Sequence, residues 1–207
     1  MPVPAAHPVP HDDGPEPLRV PWRRVRRDRD SGDPGFIPSP ASLDRDQLAR
    51  LGSAARTTSF PGMWGGAPAL SVLTAAVNVR GVADGLYDGT TSLVGDVRAF
   101  LRRCQLAQST NAHLAPATFF VTTDADEWRR ERGDRAYVDL HLRAGAATTR
   151  LLVAASAEGL VARVHNGFLT QPIRDVTGGP SRIAVFAVMV ARKRASARYR
   201  IQVGADR

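Results

Sequence analysis

Residues 137–168 read YVDLHLRAGAATTRLLVAASAEGLVARVHNGF. The run is rich in alanine, poor in bulky aromatics, and has Arg143 and Arg150 set into it. Its composition predicts a helix of about twenty residues that begins near Tyr137 or Asp139, ends near Glu158, and has Gly159 as the left-handed stop. Ala, Gly, Thr and Ser along such a helix let another backbone come close, whether a second helix, a second subunit or a flat ligand. Close packing alone would account for them too, because Ala is the best helix former. Arg150 is either a surface residue or a cation held at a seam, where a buried guanidinium needs an anion beside it.

Outward from this run, the pattern alternates helices and strands. LVARVHNGF and RIAVFAVMVARKR are strand candidates, the second apolar on both faces and so central. ATFFVTT, after Pro116, is a third. DADEWRRERGDRAY reads as a charged connection between that strand and the long helix. Further upstream, SLVGDVRAFLRRCQLAQ places Val94, Val97, Leu101 and Leu106 on an amphipathic helix. LSVLTAAVNV is a strand, turned by Gly81, and DGLYDG is loop punctuation. SLDRDQLARLGSAAR is a helix, with Ser42 as cap and Asp44 and Asp46 in the first turn. Helix, strand, helix, strand, long helix, strand, strand is an α+β order without internal repeats.

The chain has 207 residues, which suits one domain with a tail. Residues 1–17 hold six prolines and read as a disordered leader, residues 18–41 as an Arg-rich arm and linker, and residues 42–207 as the compact domain. No apolar run approaches the roughly 18 residues of a membrane span. The single cysteine, Cys104, cannot form an internal disulfide, so a reducing cytoplasm is the expected compartment. The net charge of +8 comes from cations that are almost all arginine. The guanidinium fork suits phosphates and carboxylates, although a composition bias would raise the arginine count as well. Phosphate-loop, Rossmann and metal-spacing motifs are missing from the sequence, and His113, His141 and His165 are scattered.

The segment RGDRAYVDLHLRAGAATTRLLVAASAEGLVARVHNGF resembles the central dimer-interface helix and following strand of nitroreductase-like flavoproteins. VNVRGVADGLYDG is similar to a strand and Gly-Leu-Tyr turn of one branch, the azoline dehydrogenases of streptolysin-type peptide clusters. PGMWGGAP (residues 61–68) falls at that branch's Pro-Ser-x-Gly loop, and IAVFAVMVARKR resembles the last core strand with its trailing basic residues. RRDR, Arg26 to Arg29, falls where the family opens with an Arg-Arg-Ser-x-Arg phosphate clamp. The resemblance spans Val25 to Arg194.

It implies a nitroreductase-like α+β fold, a central antiparallel or mixed sheet flanked by helices, with the long helix at a dimer interface. It implies flavin mononucleotide (FMN) as cofactor. Arg26, Arg27, Arg29, Arg192 and Arg194 would serve its phosphate, and Gly65 and Gly66 would let a loop approach the ring or substrate. Thr149 and Arg150 stand where the family carries a Gln-Asn pair that helps to hold the flavin. Other positions depart as well: Gly62 and Ala67 replace the loop Ser and Tyr, Glu131 and Arg132 replace a Lys-Tyr pair, and Val138 replaces an Arg, while Arg135 and Tyr137 are kept. The implied function is an FMN-dependent dehydrogenase that tailors a ribosomal peptide or another specialised metabolite, as a homodimer or with a related subunit. The alternative is a non-catalytic partner subunit or scaffold of the same fold. Nucleic-acid binding through the Arg19–Arg29 arm ranks last, since no stacking aromatics accompany it. The sequence singles out no catalytic residue.

Overall fold

The computed structural model describes residues 20–32, 36–39, 41–56, 68–106 and 110–194. The described strands are β1 (Ser71–Ala76), β2 (Gly85–Asp88), β3 (Thr91–Val94), β4 (Ala117–Asp124), β5 (Leu160–His165) and β6 (Arg182–Arg192). They form one antiparallel sheet in the order β3-β2-β1-β4-β6-β5. β4 and β6 occupy the middle because both faces of each are apolar, as the run Phe119, Phe120 and Val121 shows with every side chain buried.

The described helices are α1 (Trp22–Asp28), α2 (Arg45–Arg56), α3 (Val97–Cys104), α4 (Ala125–Arg132), α5 (Ala136–Ala157) and α6 (Gln171–Thr177). α2 and α5 cover one face of the sheet, where Leu51, Ala55, Leu151 and Ala155 meet Val72, Phe119, Val188 and Val190. α3 and α6 cover the other, where Phe100, Leu101, Cys104 and Ile173 meet Leu73, Phe120, Ala187 and Met189. Phe120 is packed edge-to-face by Phe100 at 6.2 Å and Phe168 at 5.8 Å, a geometry that aromatic quadrupoles favour.

α5, of 22 residues, is the predicted long helix, and Gly159 ends it at φ +71°. Ala144, Ala147, Leu151 and Ala155 face the interior, whereas Tyr137, Val138 and Leu142 are exposed. RIAVFAVMVARKR is an inner strand, as its two apolar faces demand.

Four local expectations are corrected. DGLYDG is not merely punctuation: Gly85–Asp88 and Thr91–Val94 form a hairpin that extends the sheet, with Tyr87 opposite Ser92. The expected charged connection is helix α4, capped by Asp124, whose Oδ1 accepts from Asp126 N and Glu127 N at 2.9 Å each. Its only buried side chain is Trp128, so the charges around it carry no apolar period. In α2 the cap is Asp44 rather than Ser42. Asp44 Oδ1 accepts from Gln47 N at 2.9 Å while Gln47 Oε1 accepts from Asp44 N at 3.3 Å, a reciprocal capping box. α3 is also shorter than its sequence pattern, since Val94 closes β3 and Leu106 lies beyond the helix at 67% exposure.

The Asp124 cap yields a direct expectation. Ser181 Oγ donates to Asp124 Oδ2 at 2.6 Å, and this bond, with those from Glu127 and Asp126, holds the carboxyl below its usual range. A depressed carboxyl pKa means that its contribution is present above the unfolded value and is lost as pH falls through the folded one. Asp124→Ala is expected to cost about 1–2 kcal/mol of stability near neutral pH. The deficit should shrink as the wild type is acidified below pH ~4. Urea melts of both proteins at two pH values check it.

Candidate functional site

The arm does not hang free of the domain. Val25 of α1 and Phe36 are both 2% exposed, and Asp30 O accepts from Ala162 N at 3.0 Å, so the arm runs along the outer edge of β5. Arg163 on β5 donates to Ser31 O at 3.0 Å and to Gly32 O at 3.1 Å, and its guanidinium lies 5.2 Å from the Phe36 ring centroid. Lys193 Nζ reaches Asp30 Oδ2 at 2.6 Å, which holds the Asp30 carboxyl below its ordinary range. This strap covers a sheet edge that would otherwise offer unpaired backbone groups.

The strap also distributes the arginines named from the sequence. Arg26, Arg27 and Arg29 are exposed on and just after α1, and Arg29 and Arg194 each sit one residue from the Asp30–Lys193 pair. Arg192 points elsewhere: its Nε donates to Ser42 O at 3.2 Å and its guanidinium to Gln47 Oε1 at 3.1 Å. Those bonds fasten the end of β6 to the start of α2 and use two of the five N–H donors of the guanidinium. Arg194 is exposed and borders an open groove with Ile37, Leu114 and Arg98. Gly65 and Gly66 lie outside the described residues.

Thr149 and Arg150 are neighbours in α5 with different surroundings. Thr149 is exposed, and its hydroxyl returns to Gly145 O at 2.9 Å. Arg150 is half-buried, and its Nε, removed from solvent, has no hydrogen-bond partner among the described residues. Two turns earlier, Arg143 lies in a similar position but is anchored: Nη1 donates to Pro68 O at 2.7 Å and the guanidinium sits 6.0 Å from the Trp128 ring centroid. Burial, and then the Arg132 cation, lower the Arg143 pKa. Sequence reasoning gives Arg143 no role. Its spacing of seven from Arg150 on an otherwise apolar helix is the signal that marks it.

His165 closes β5 on the face shared with Val161 and Arg163, the two-residue period of a strand. Both ring nitrogens are buried without a partner among the described residues, and Phe168 meets the ring edge-on at 5.8 Å. Burial first, and the Arg163 cation second, push its pKa below 6.5. A base with a depressed folded pKa is protonated more readily in the unfolded chain. Stability is therefore lost as pH falls from the unfolded value towards the folded one. The ring is expected to titrate below the ordinary histidine range by NMR, and His165→Phe is expected to flatten the fall in stability below pH ~6.5. Elsewhere, burial pushes the Cys104 thiol up to about 12, which removes it as a nucleophile at neutral pH.

Together these features describe an α+β protein with a cation-bearing strap along one sheet edge and a long helix that exposes Tyr137, Val138 and Leu142. The chain belongs to the nitroreductase family, whose model matches residues 39–192. This is an oxidoreductase family, and the six-stranded antiparallel sheet flanked by helices is its fold. A structure named as a nitroreductase from Anabaena variabilis is similar at 21% identity and a TM-score of 0.66, covering 82% of this chain and 37% of its own. This chain thus spans little more than a third of that protein's length. A nitroreductase family protein from Streptococcus pneumoniae TIGR4 is similar at 13% identity and a TM-score of 0.60, with 88% of this chain and 96% of that one covered. One named as an NAD(P)H:FMN oxidoreductase from Staphylococcus epidermidis shares 11% identity at a TM-score of 0.58, with 88% and 92% covered. No curated protein matches the sequence. None of the described helices is long and apolar enough to cross a membrane.

Proposed function

We propose that this chain is an FMN-dependent oxidoreductase subunit that works as a dimer. The carrying observation is the edge of this nitroreductase-family sheet at β5, along which runs a strap that exposes Arg26, Arg27 and Arg29. In this proposal Arg26, Arg27 and Arg29 meet the dianionic phosphate of the flavin, which the guanidinium fork suits. Arg192, which gives two of its five donors to Ser42 O and Gln47 Oε1, would serve the phosphate with those that remain. Arg194, just past the end of β6 and beside the strap, is a further phosphate ligand in this proposal, and Gly65 and Gly66 keep their proposed role at the ring. Bound FMN would supply hydride transfer. The residues of the chain would bind the phosphate, orient the ring and keep water from it.

The dimer is argued from α5. Tyr137, Val138 and Leu142 are 72%, 51% and 55% exposed, and the half-buried Gly145 and exposed Thr149 continue their face. In the dimer, the half-buried guanidinium of Arg150 would gain an anionic partner from the mate or the cofactor. A dehydrogenase acting on a ribosomal peptide or another specialised metabolite, in the cytoplasm, is the finer form of this proposal, carried by the resemblance to the azoline dehydrogenases.

The test is an absorbance spectrum of the purified protein after incubation with FMN, with the solution mass taken in the same run. Flavin at one per chain on a dimer is the expected result. A colourless protein that never retains flavin would sink the catalytic reading for the isolated chain. It would favour the second reading, a partner subunit or scaffold, for which the Thr149–Arg150 replacement already speaks.

A further inference from the structure

A second concave site lies away from the β5 edge. A cleft of about 550 Å³ runs between α2 and the β2–β3 hairpin, lined by Arg45, Leu48, Gly52, Arg56, Val82 and Tyr87, among others. Its volume is in the range of small-molecule sites. Gln47 and Arg50, which bond to Glu158 at the end of α5, project from the opposite flank of α2. The cleft is therefore separated from the exposed α5 face by the body of α2.

Two glycines shape it. Gly52 sits in the middle of α2, where glycine is disfavoured more than any residue but proline. A Cβ at that position would lie 3.3 Å from Arg56 Nη1, so the Arg56 guanidinium folds back along the helix over Gly52, and a side chain there would press on it. Gly85 does the same for Tyr87, whose ring atoms would be 3.1–3.2 Å from a Cβ there. The Tyr87 hydroxyl is fixed to Ala83 O at 2.8 Å, so the ring is a rigid wall. Both charged residues lining the cleft are cations, and Arg45 already donates its Nε to Gly81 O at 3.0 Å. Arg56 presents an exposed fork at one end of a mostly apolar trough.

We propose that this cleft binds an organic monocarboxylate with an apolar body, its carboxylate paired with Arg56 and its chain lying along Leu48, Val82 and Tyr87. A guanidinium meets a carboxylate through two parallel hydrogen bonds, and the apolar walls hold the hydrocarbon beyond it. Nothing in this site rests on flavin binding.

The test uses the full chain and anilinonaphthalene sulfonate as fluorescent probe, with decanoate and decanol as competitors. Decanoate is expected to displace the probe about tenfold more effectively than decanol, as a charge-assisted bond would give. Arg56→Ala should abolish that difference. Gly52→Ala should reduce it while raising the thermal unfolding midpoint, since alanine favours the helix but crowds the guanidinium, which separates a binding defect from a folding one. Saturating FMN should leave the probe in place. Equal competition by the two ligands, a difference that persists in both variants, displacement by FMN, or no probe binding at all overturns the proposal.

Discussion

Leu142→Asp is expected to leave the protein monomeric, with FMN retention lost in step. Leu142 is 55% exposed on α5 and lies one turn beyond Val138, which is 51% exposed. In a dimer built on this face, twofold symmetry places the same patch of both protomers together, so one substitution inserts two carboxylates. Burying unpaired carboxylates at the seam weakens association by about a hundredfold or more. In the monomer the side chain stays in solvent, so the fold should survive. Light scattering across a concentration series reads the mass, and the flavin absorbance of the same fractions reads the cofactor. A variant that remains dimeric would remove α5 from the interface.

Trp128→Ala carries the largest expected cost to the fold itself, about 3–5 kcal/mol. Trp128 is 1% exposed, and its indole Nε1 donates to Thr123 Oγ1 at 2.9 Å. Thr123 Oγ1 in turn donates to Ala69 O at 2.9 Å, and Arg143 donates to the neighbouring Pro68 O. Removing the indole opens a cavity among Val121, Leu140, Ala144 and Val185 and leaves Thr123 without its donor. Trp128→Phe separates the two contributions, because it keeps most of the volume and loses only the hydrogen bond, at about 1–2 kcal/mol plus the repacking cost. Urea denaturation of the three proteins checks the order. Equal stabilities would mean that this small cluster does not anchor the start of β1.

How much of this is legible in residue order depends on the kind of signal. α5 and β6 are legible because their periods are local: small residues with Gly159 behind them, and an apolar run too dense for a half-exposed strand. The β2–β3 hairpin is not, because Gly85, Asp88 and Gly89 satisfy the same local cues as a loop. Only pairing with β1, where Thr74 lies opposite Tyr87, makes it a strand. α4 is hidden for a related reason, since its single buried residue leaves no apolar stripe. The candidate site divides along the same line. The sequence marks Arg26, Arg27, Arg29, Arg192 and Arg194 as an arginine set, but a set of cations does not say which are already bonded.

The sequence by itself determined the α+β class, the long small-residue helix, the inner position of β6 and the family resemblance, since each is written in periodicity or short motifs. The tertiary structure alone decided that Arg192 fastens β6 to Ser42 and Gln47, that His165 keeps two unpartnered nitrogens among the described residues, and that Arg56 lies over Gly52. The physical reason is the same in each case. A side chain's chemistry is set by the groups that folding brings beside it, and those come from positions far away in the chain.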